Sequence, residues 1–298
     1  EKGGVFASIW GVYNLLPEKL RKNVIGVIVN KFRGDLTLFD EGIRIIQEDF
    51  KIPVLGVLPY LPFNLGFEDS ASLKNFVQQP RNKKLDIAVI GYPYMSNYND
   101  FEPLIADDEV FVEFVSSNIS LEKFDLVILP GSKLVIKDLI WLKQTGLFEQ
   151  IKNYKKDICA ICGGYEMMFE SLNDIYALEN EQALKEEGFG FIPDIITFEK
   201  EKILEKKTYD LFGEKIEGFE IHHGMCENYP LSFEKQNFKG TFVHQIFDNN
   251  EFRTKYFKSI KTDYIGFDFQ EYKKQTVDNF IETLKEKLDV NHILKSIS

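Results

Sequence analysis

The residues best suited to covalent chemistry lie around Cys162. An apolar run at residues 158–161 ends at this cysteine, and Gly163 and Gly164 follow directly, before a helix-compatible segment. A strand, a tight turn and a helix in this order are typical of a nucleophile elbow, where small residues after the nucleophile permit the turn. The positive end of the helix dipole would favour a thiolate at this position. The pattern therefore predicts that Cys162 is a nucleophile.

The three cysteines also allow other interpretations. Free cysteines are commonly buried small hydrophobes, and Cys159, inside the apolar run, is predicted to be a core residue. Cys159 and Cys162 form a C-x-x-C, which is compatible with a redox pair or half of a zinc site. No second pair completes a zinc site, because Cys226 stands alone. We therefore predict no metal site.

A cysteine nucleophile also needs a base and an oxyanion site. The base takes the thiol proton, and N–H groups hold the charged oxygen of the tetrahedral intermediate. Gly131 follows a predicted buried strand and Gly163 follows the nucleophile, so their N–H groups are candidate donors. Pro-Gly-Ser at 130–132 is also a common turn sequence. Composition does not choose the base among the four histidines, which are His222, His223, His244 and His292.

A predicted α/β pattern after residue 84 positions these residues. Continuous apolar runs predict strands at residues 85–90, 110–115 and 124–129, followed by a helix over 136–145 and the elbow strand. Further along, we predict short strands around 188–191, 216–224 and 240–245, and a helix over 272–297. Strands that alternate with helices indicate a parallel sheet.

The first part of the chain shows a second α/β pattern. We predict helices over 5–16 and 36–50 and buried strands at 24–29 and 53–60. The first strand ends in the polar residues 30–35, at the kind of strand end where parallel sheets bind ligands. Residues 80–84 are the predicted linker. The sequence thus divides into predicted domains at 1–84 and 85–298.

Composition excludes several classes of protein. The chain has 298 residues, 44% hydrophobic and 28% charged, with a net charge of -11. An acidic chain without clustered basic residues disfavours nucleic acid and anionic membranes as partners, and small molecules are favoured instead. No apolar stretch approaches the ~20 residues of a membrane span. Three irregularly spaced cysteines indicate a reducing compartment, so we expect a cytoplasmic protein.

Several motifs together resemble the cobyric acid synthase family, including its glutamine amidotransferase domain. In the second predicted domain they are Ser96-Asn97-Tyr98-x-Asp100-Phe101, Leu129-Pro130-Gly131-Ser132-Lys133, Ile161-Cys162-Gly163-Gly164-Tyr165, Gly218-Phe219-Glu220-Ile221-His222 and Gly240-Thr241-Phe242-Val243-His244. In the first they are Glu1-Lys2-Gly3-Gly4-Val5-Phe6-Ala7 and Asn30-Lys31-Phe32-Arg33-Gly34-Asp35. The resemblance covers nearly the whole chain. Single motifs are weak signals, but their order along the chain is specific.

The resemblance implies a fold and a reaction. The fold would be the C-terminal portion of a P-loop-like, parallel-sheet synthetase domain followed by a class I glutamine amidotransferase-like α/β domain. The second domain would hydrolyse glutamine and pass ammonia to the first. With ATP and Mg²⁺, the first would amidate the b, d, e and g carboxylates of the corrinoid adenosylcobyrinic acid a,c-diamide. Rival interpretations are the a,c-diamide synthase of the same pathway and a decayed, non-catalytic amidotransferase scaffold.

The resemblance also implies roles for individual residues. Cys162 would form a glutamyl thioester, and His244 would be its acid–base partner. Gly131, Ser132, Gly163, Glu166 and His222 would form the oxyanion and glutamine-binding region. Glu1, Asn30 and Lys31 would lie near the nucleotide and its Mg²⁺.

The chain departs from the family pattern at several positions. Related amidotransferases carry a glutamate two residues after the histidine, where this chain has Ile246, so we expect something else to orient His244. Glu166 replaces a glutamine, and Gln245 replaces a glycine. No G-x-x-x-x-G-K-[ST] phosphate loop occurs in the sequence. We therefore expect a piece of a longer protein that does not bind ATP productively by itself.

Overall fold

The computed structural model describes residues 4–61 and 83–297, which belong to two compact units. The first unit comprises residues 1–65 and 271–298, and the second comprises residues 66–270. The predicted boundaries place residues 271–298 in the second domain. In the structure the Asp289 N–H instead donates to Leu55 O at 2.7 Å, within the first unit. Glu1 and most of the predicted linker lie outside the described residues.

The first unit contains a pair of parallel strands, β1 (Val27–Phe32) and β2 (Val54–Pro59). The helices before and between them are α1 (Val5–Leu15), α2 (Glu18–Arg21) and α3 (Asp40–Arg44). The helix predicted over 36–50 is irregular, because α3 is preceded by a 3₁₀ turn at Leu36–Phe39 and followed by a π turn at Ile45–Asp49. The predicted βαβ order is confirmed, with β1 beginning three residues later than expected.

A six-stranded sheet forms the centre of the second unit. Its strands are β3 (Leu85–Ile90), β4 (Val110–Val115), β5 (Leu126–Leu129), β6 (Asp157–Ile161), β11 (Ser232–Lys235) and β12 (Phe238–Thr241). The order is β11-β12-β6-β5-β3-β4, and all neighbours are parallel except β11 and β12. The predicted parallel sheet is therefore confirmed. Because the five parallel strands share one direction, the segments that follow them meet at one edge.

A second sheet of five strands supplies another wall of this unit. Its strands are β7 (Phe169–Asp174), β8 (Leu184–Glu187), β9 (Ile192–Leu211), β10 (Glu214–Met225) and β13 (Val243–His244), in the order β13-β10-β9-β7-β8. Strands β9 and β10 form a long antiparallel hairpin. The prediction of only short strands here was wrong, because the Lys- and Glu-rich half of β9 is exposed and lacks an apolar run.

Helices complete the second unit and connect its strands. They are α4 (Glu102–Ile105), α5 (Val135–Thr145), α6 (Leu147–Asn153), α7 (Gly163–Glu166) and α8 (Asn250–Ile260). At the end of the chain, where a single helix was predicted, the structure has two helices, α9 (Phe269–Lys287) and α10 (Val290–Ile297). Residues 271–298 of this segment belong to the first unit. The parallel strands β3 and β5 belong to one large hydrophobic cluster, which also includes Phe101 and Phe242. Among the described residues, no helix is both long and apolar enough to cross a membrane.

Candidate active site

Four loops converge at the carboxyl edge of the six-stranded sheet. Cys162 directly follows β6, and its N–H donates to Thr241 O, the last residue of β12, at 2.8 Å. His244 lies three residues after β12, Gly131 follows β5, and Asp100 is on the segment after β3. Residues far apart in sequence are therefore brought into one cluster by the strand order.

Cys162 occupies a strained turn. Its backbone has φ 50° and ψ -113°, a conformation that is costly for a residue with a side chain. The residue caps α7 and is 5% exposed, and its Sγ lies 3.6 Å from Ile221 O. Strain at a strand-to-helix turn is characteristic of a nucleophile elbow, as the sequence predicted.

The glycines of the elbow allow two loops to approach closely. A Cβ on Gly163 would stand 2.7 Å from Ser132 N, and one on Gly164 would stand 2.6 Å from the Leu129 carbonyl carbon. A Cβ on Gly131 would stand 3.1 Å from His244 Cε1. Gly131 therefore lies against the His244 ring, and Gly163, the residue after Cys162, lies against the Ser132 backbone.

His244 is held on both sides of its ring. Its Nδ1 lies 2.7 Å from Asp100 Oδ2, and its Nε2 lies 3.0 Å from the Asn97 amide nitrogen. Burial alone lowers the pKa of His244, but the charges of Asp100 and Cys162 and hydrogen bonds to both raise it to about 10. Cys162 and Asn97 line the same cavity, so the thiol and the His244 imidazole lie close enough for their charges to interact.

The other histidines occupy different environments. His222 is buried, with Nδ1 2.8 Å from Gly224 O and Nε2 3.2 Å from Glu220 Oε2, and its ring stacks on Phe242. His223 Nδ1 lies 2.9 Å from Glu199 O. His292 is exposed and belongs to the first unit. Of the four histidines, His244 is the one whose ring contacts Asp100 and whose pKa responds to the charge of Cys162.

Ser132 lines the cavity beside Cys162 and also supports its own loop. Its hydroxyl donates to Asp138 Oδ2 at 2.6 Å and accepts the Leu134 N–H at 3.0 Å. The other Asp138 oxygen accepts the Tyr94 N–H. Burial raises the pKa of Asp138 to about 6, against the lowering effect of these hydrogen bonds. The Ser132 side chain therefore anchors the 131–134 loop to α5.

A cavity of about 380 Å³ opens beside Cys162, and acidic groups line it. Glu166 is buried, and its Oε1 accepts the Gly224 N–H at 3.1 Å. Burial, followed by the charge of Glu179, raises the pKa of Glu166 well above its ordinary value. Glu179 accepts the Ile136 N–H at 2.9 Å, and burial raises its pKa to about 7. Burial therefore favours the protonated form of both carboxyl groups.

Two acids of the site were not predicted from the sequence. Asp100 lies within a family motif but carried no assigned role, although Ile246 indicated that His244 needed another orienting group. Glu179 follows a turn without a distinctive pattern, so no local signal identifies it.

The predicted nucleotide-binding residues lie in the first unit. Asn30 and Lys31 are exposed near the end of β1, and Asn30 Oδ1 accepts the Lys31 N–H at 2.8 Å. Lys31 has a positive φ of 55°. Within residues 4–61 and 83–297, no cluster of three or more His, Cys, Asp or Glu side chains is suited to a metal ion.

A strained cysteine and a histidine–aspartate pair at the carboxyl edge of a parallel sheet form an arrangement that is typical of α/β domains with a cysteine nucleophile. Residues 86–252 match the family described as the CobB/CobQ-like glutamine amidotransferase domain. The chain belongs to this family.

The chain is also similar to proteins named cobyric acid synthase. It is 66% identical over 297 residues to the protein of Acinetobacter baylyi, a match that covers 100% of this chain and 64% of that relative. It is 36% identical over 326 residues to the protein of Clostridium tetani, covering 100% of this chain and 65% of the relative. The chain thus spans less than two thirds of the length of these relatives.

Solved structures show weaker similarity. A glutamine amidotransferase structure matches 58% of this chain and 97% of its own length, with a TM-score of 0.43 and 11% identity. The structure of PurLQS from Thermotoga maritima matches 66% of this chain and 99% of its own, with a TM-score of 0.33 and 14% identity.

Proposed function

We propose that the second unit hydrolyses the side-chain amide of L-glutamine and releases ammonia. The placement of Cys162 at the cavity where Asn97 holds the ring of a His244–Asp100 pair carries this proposal. A thiol in an elbow, with an imidazole that accepts its proton and a carboxylate that orients the imidazole, is the arrangement that acyl transfer from an amide requires.

The first half of the reaction transfers the glutamyl group. Cys162 Sγ attacks the amide carbon while His244 holds the thiol proton, and the oxygen becomes an oxyanion near the Gly131 and Gly163 N–H groups. His244 then gives its proton to the departing nitrogen, so the C–N bond breaks and ammonia leaves. The enzyme is left as a glutamyl thioester.

The second half releases glutamate. His244 takes a proton from water as the water oxygen attacks the thioester carbon, and the C–S bond then breaks. The proton returns to the sulfur, so Cys162 is restored and one glutamate is formed per ammonia. Asp100 stabilises the imidazolium in both halves through its 2.7 Å hydrogen bond.

Glutamine would be held by the acidic cavity wall. A protonated Glu166 accepts the Gly224 N–H and can donate from its other oxygen, as the amide of the family's glutamine would. Glu179, which ionises near neutral pH, can bind an α-ammonium group. Replacing glutamine by Glu166 is therefore compatible with substrate binding.

We further propose that the chain is part of a cobyric acid synthase. The ammonia would then amidate the b, d, e and g carboxylates of adenosylcobyrinic acid a,c-diamide, with ATP and Mg²⁺ activating each carboxylate. Support comes from the 66% identity to the Acinetobacter baylyi protein. Exposed Asn30 and Lys31 fit a role beside a nucleotide at a strand end. Two such residues do not hold the phosphates of ATP, so we derive no step through it.

Release of ammonia and glutamate from L-glutamine tests the proposed reaction. We expect equal amounts of both products from the unaltered chain, none above background from Cys162→Ala, and unchanged release from Cys226→Ala. Mass spectrometry should detect the glutamyl adduct on the unaltered chain after rapid acid quenching. A chain that releases no ammonia, or a Cys162→Ala variant that is as active as the parent, would favour a non-catalytic scaffold.

A further inference from the structure

The cavity beside Cys162 is bordered by both signs of charge. Glu166 and Glu179 contribute carboxyl groups, and Lys133 and Lys202 contribute ammonium groups. L-glutamine carries the same two signs at its α-carbon, together with an amide that must reach the sulfur. A cavity of about 380 Å³ that holds these groups can recognise a zwitterionic amino acid by pairing each charge.

Lys202 reaches this cavity through an irregularity in the β9–β10 hairpin. Ile203 pairs with His222 and Phe198 pairs with Gly224, so residues 199–202 of β9 lie opposite the single residue His223. The His223 ring secures the start of this bulge, because its Nδ1 lies 2.9 Å from Glu199 O. Bulges of this kind redirect side chains and recur beside active sites.

The Lys202 ammonium has no carboxylate within ion-pair distance among the described residues, although its charge lowers the pKa of Glu166. Burial and the charge of Glu179 oppose that effect and keep the Glu166 pKa high. Lys202 is exposed, so its ammonium remains available to a ligand. A cation near the buried acids, without an ion pair of its own, suits an anionic group of a bound substrate.

Other cationic groups at the cavity are less suited to this role. Both ring nitrogens of His222 already have partners, Gly224 O and Glu220. Lys133 also lines the cavity, but its charge is not among the main influences on the pKa of Glu166 or Glu179.

We propose that Lys202 binds the α-carboxylate of L-glutamine and thereby selects α-amino acids over simple amides. This assignment rests on the proposed glutaminase function and extends it to a substrate-binding residue on the hairpin. The amide of the same molecule would reach Cys162, and its α-ammonium would face Glu179. Lys202 makes no contact with the reacting amide, so it contributes to binding and not to the chemical step.

Steady-state hydrolysis of two amides by the full chain tests the assignment. The substrates are L-glutamine and 4-aminobutanamide, which is glutamine without its α-carboxylate. For Lys202→Ala we expect the KM for L-glutamine to rise roughly 10- to 100-fold, the loss typical of a hydrogen bond to a charged group, with kcat unchanged within about 2-fold. The kcat/KM for 4-aminobutanamide should stay at the parent value, and Lys202→Arg should recover part of the L-glutamine affinity.

Lys200→Ala is a matched control on the same bulge. The Lys200 ammonium lies 4.8 Å from the centre of the Tyr176 ring, and we expect parental kinetics with both amides. Equal losses with both amides, no loss with either, or the predicted pattern in Lys133→Ala instead would overturn the assignment while leaving the glutaminase proposal intact. A parent chain that hydrolyses neither amide would overturn both.

Discussion

Asp100 holds the imidazole of His244, the proposed acid–base partner of Cys162. Its Oδ2 lies 2.7 Å from His244 Nδ1, and its Oδ1 accepts the Gln245 N–H at 2.8 Å. The carboxylate is 1% exposed, so its charge acts on the imidazole without screening by water. It therefore occupies the orienting role for which Ile246 is chemically unsuited.

Asp100→Asn should impair the orientation of the His244 imidazole while leaving the Cys162 thiol in place. The charge of Asp100 is a main cause of the raised His244 pKa, and the substitution removes it. The neutral amide also no longer favours a proton on His244 Nδ1. We expect kcat for glutamine to fall roughly 10²- to 10⁴-fold with little change in KM. An NMR titration of His244 should show its pKa falling from about 10.

A control for this substitution is Asp210→Asn, whose side chain is 83% exposed and pairs with Lys215. This variant should retain parental kcat. If Asp100→Asn were also fully active, the histidine would not depend on the carboxylate, and the site would act as a two-residue pair.

The raised pKa of Glu166 predicts that the KM for glutamine depends on pH. Burial and the neighbouring Glu179 raise its pKa, while the Gly224 N–H, His244 and Lys202 lower it to a smaller extent. The protonated form is the one that can donate to glutamine, and it is lost as the pH rises through the raised pKa. KM for glutamine should therefore increase on the alkaline side.

Glu166→Gln should remove that alkaline rise in KM. The amide donates at every pH, so we expect KM within about 3-fold of the parent wherever Glu166 is protonated and a flat profile at higher pH. The comparison is KM against pH for both proteins. Identical profiles would mean that another group causes the alkaline loss.

At the scale of elements, the elbow depends on how closely α7 approaches β5. Gly164 N–H donates to Pro130 O at 2.9 Å, and a Cβ at this residue would collide with the Leu129 carbonyl. The turn that places Cys162 at the cavity is therefore supported by the adjacent strand β5. Neither β5 nor β6 can move without disturbing the large hydrophobic cluster.

Gly164→Ala should destabilise the second unit. The methyl group forces backbone shifts in a packed region, so we expect the free energy of unfolding to fall by about 1–3 kcal/mol. The urea midpoint, followed by circular dichroism, measures this. Gly91→Ala is the control, because its Cβ would stand 3.8 Å from the nearest atom, an ordinary contact. Equal midpoints for the two variants would show that the elbow accommodates a methyl group.

At the scale of the whole molecule, the two units have unequal cores. The buried cluster of the first unit comprises Val29, Phe39, Ile46 and Ile52, and none of the residues of α1 is buried. The cluster of the second unit extends through both of its sheets. Because stability grows with buried apolar area, the second unit should be the more stable.

The two tryptophans allow the stabilities of the two units to be compared. Trp10 lies in the first unit with its ring centre 4.9 Å from that of Phe50, and Trp141 packs against the core of the second. In Trp141→Phe, the remaining Trp10 fluorescence should change at lower urea concentration than Trp141 fluorescence does in Trp10→Phe. Coincident transitions would show that the units unfold together.

The sequence determined the local features of this protein. Cys162 could be named as a candidate because the elbow pattern lies in consecutive residues. The strands β3 and β4 match their predicted bounds because buried parallel strands are continuous apolar runs. The candidate oxyanion glycines were identified for the same reason. Such features depend on neighbours along the chain.

Only the tertiary structure decided which distant side chains meet. Asp100 and His244 are 144 residues apart, and they meet because β3 and β12 end at the same sheet edge. Lys202 faces the cavity because of a bulge whose register depends on pairing with β10. Strand order and register arise from packing between elements. The spacing of residues within one element does not predict that packing.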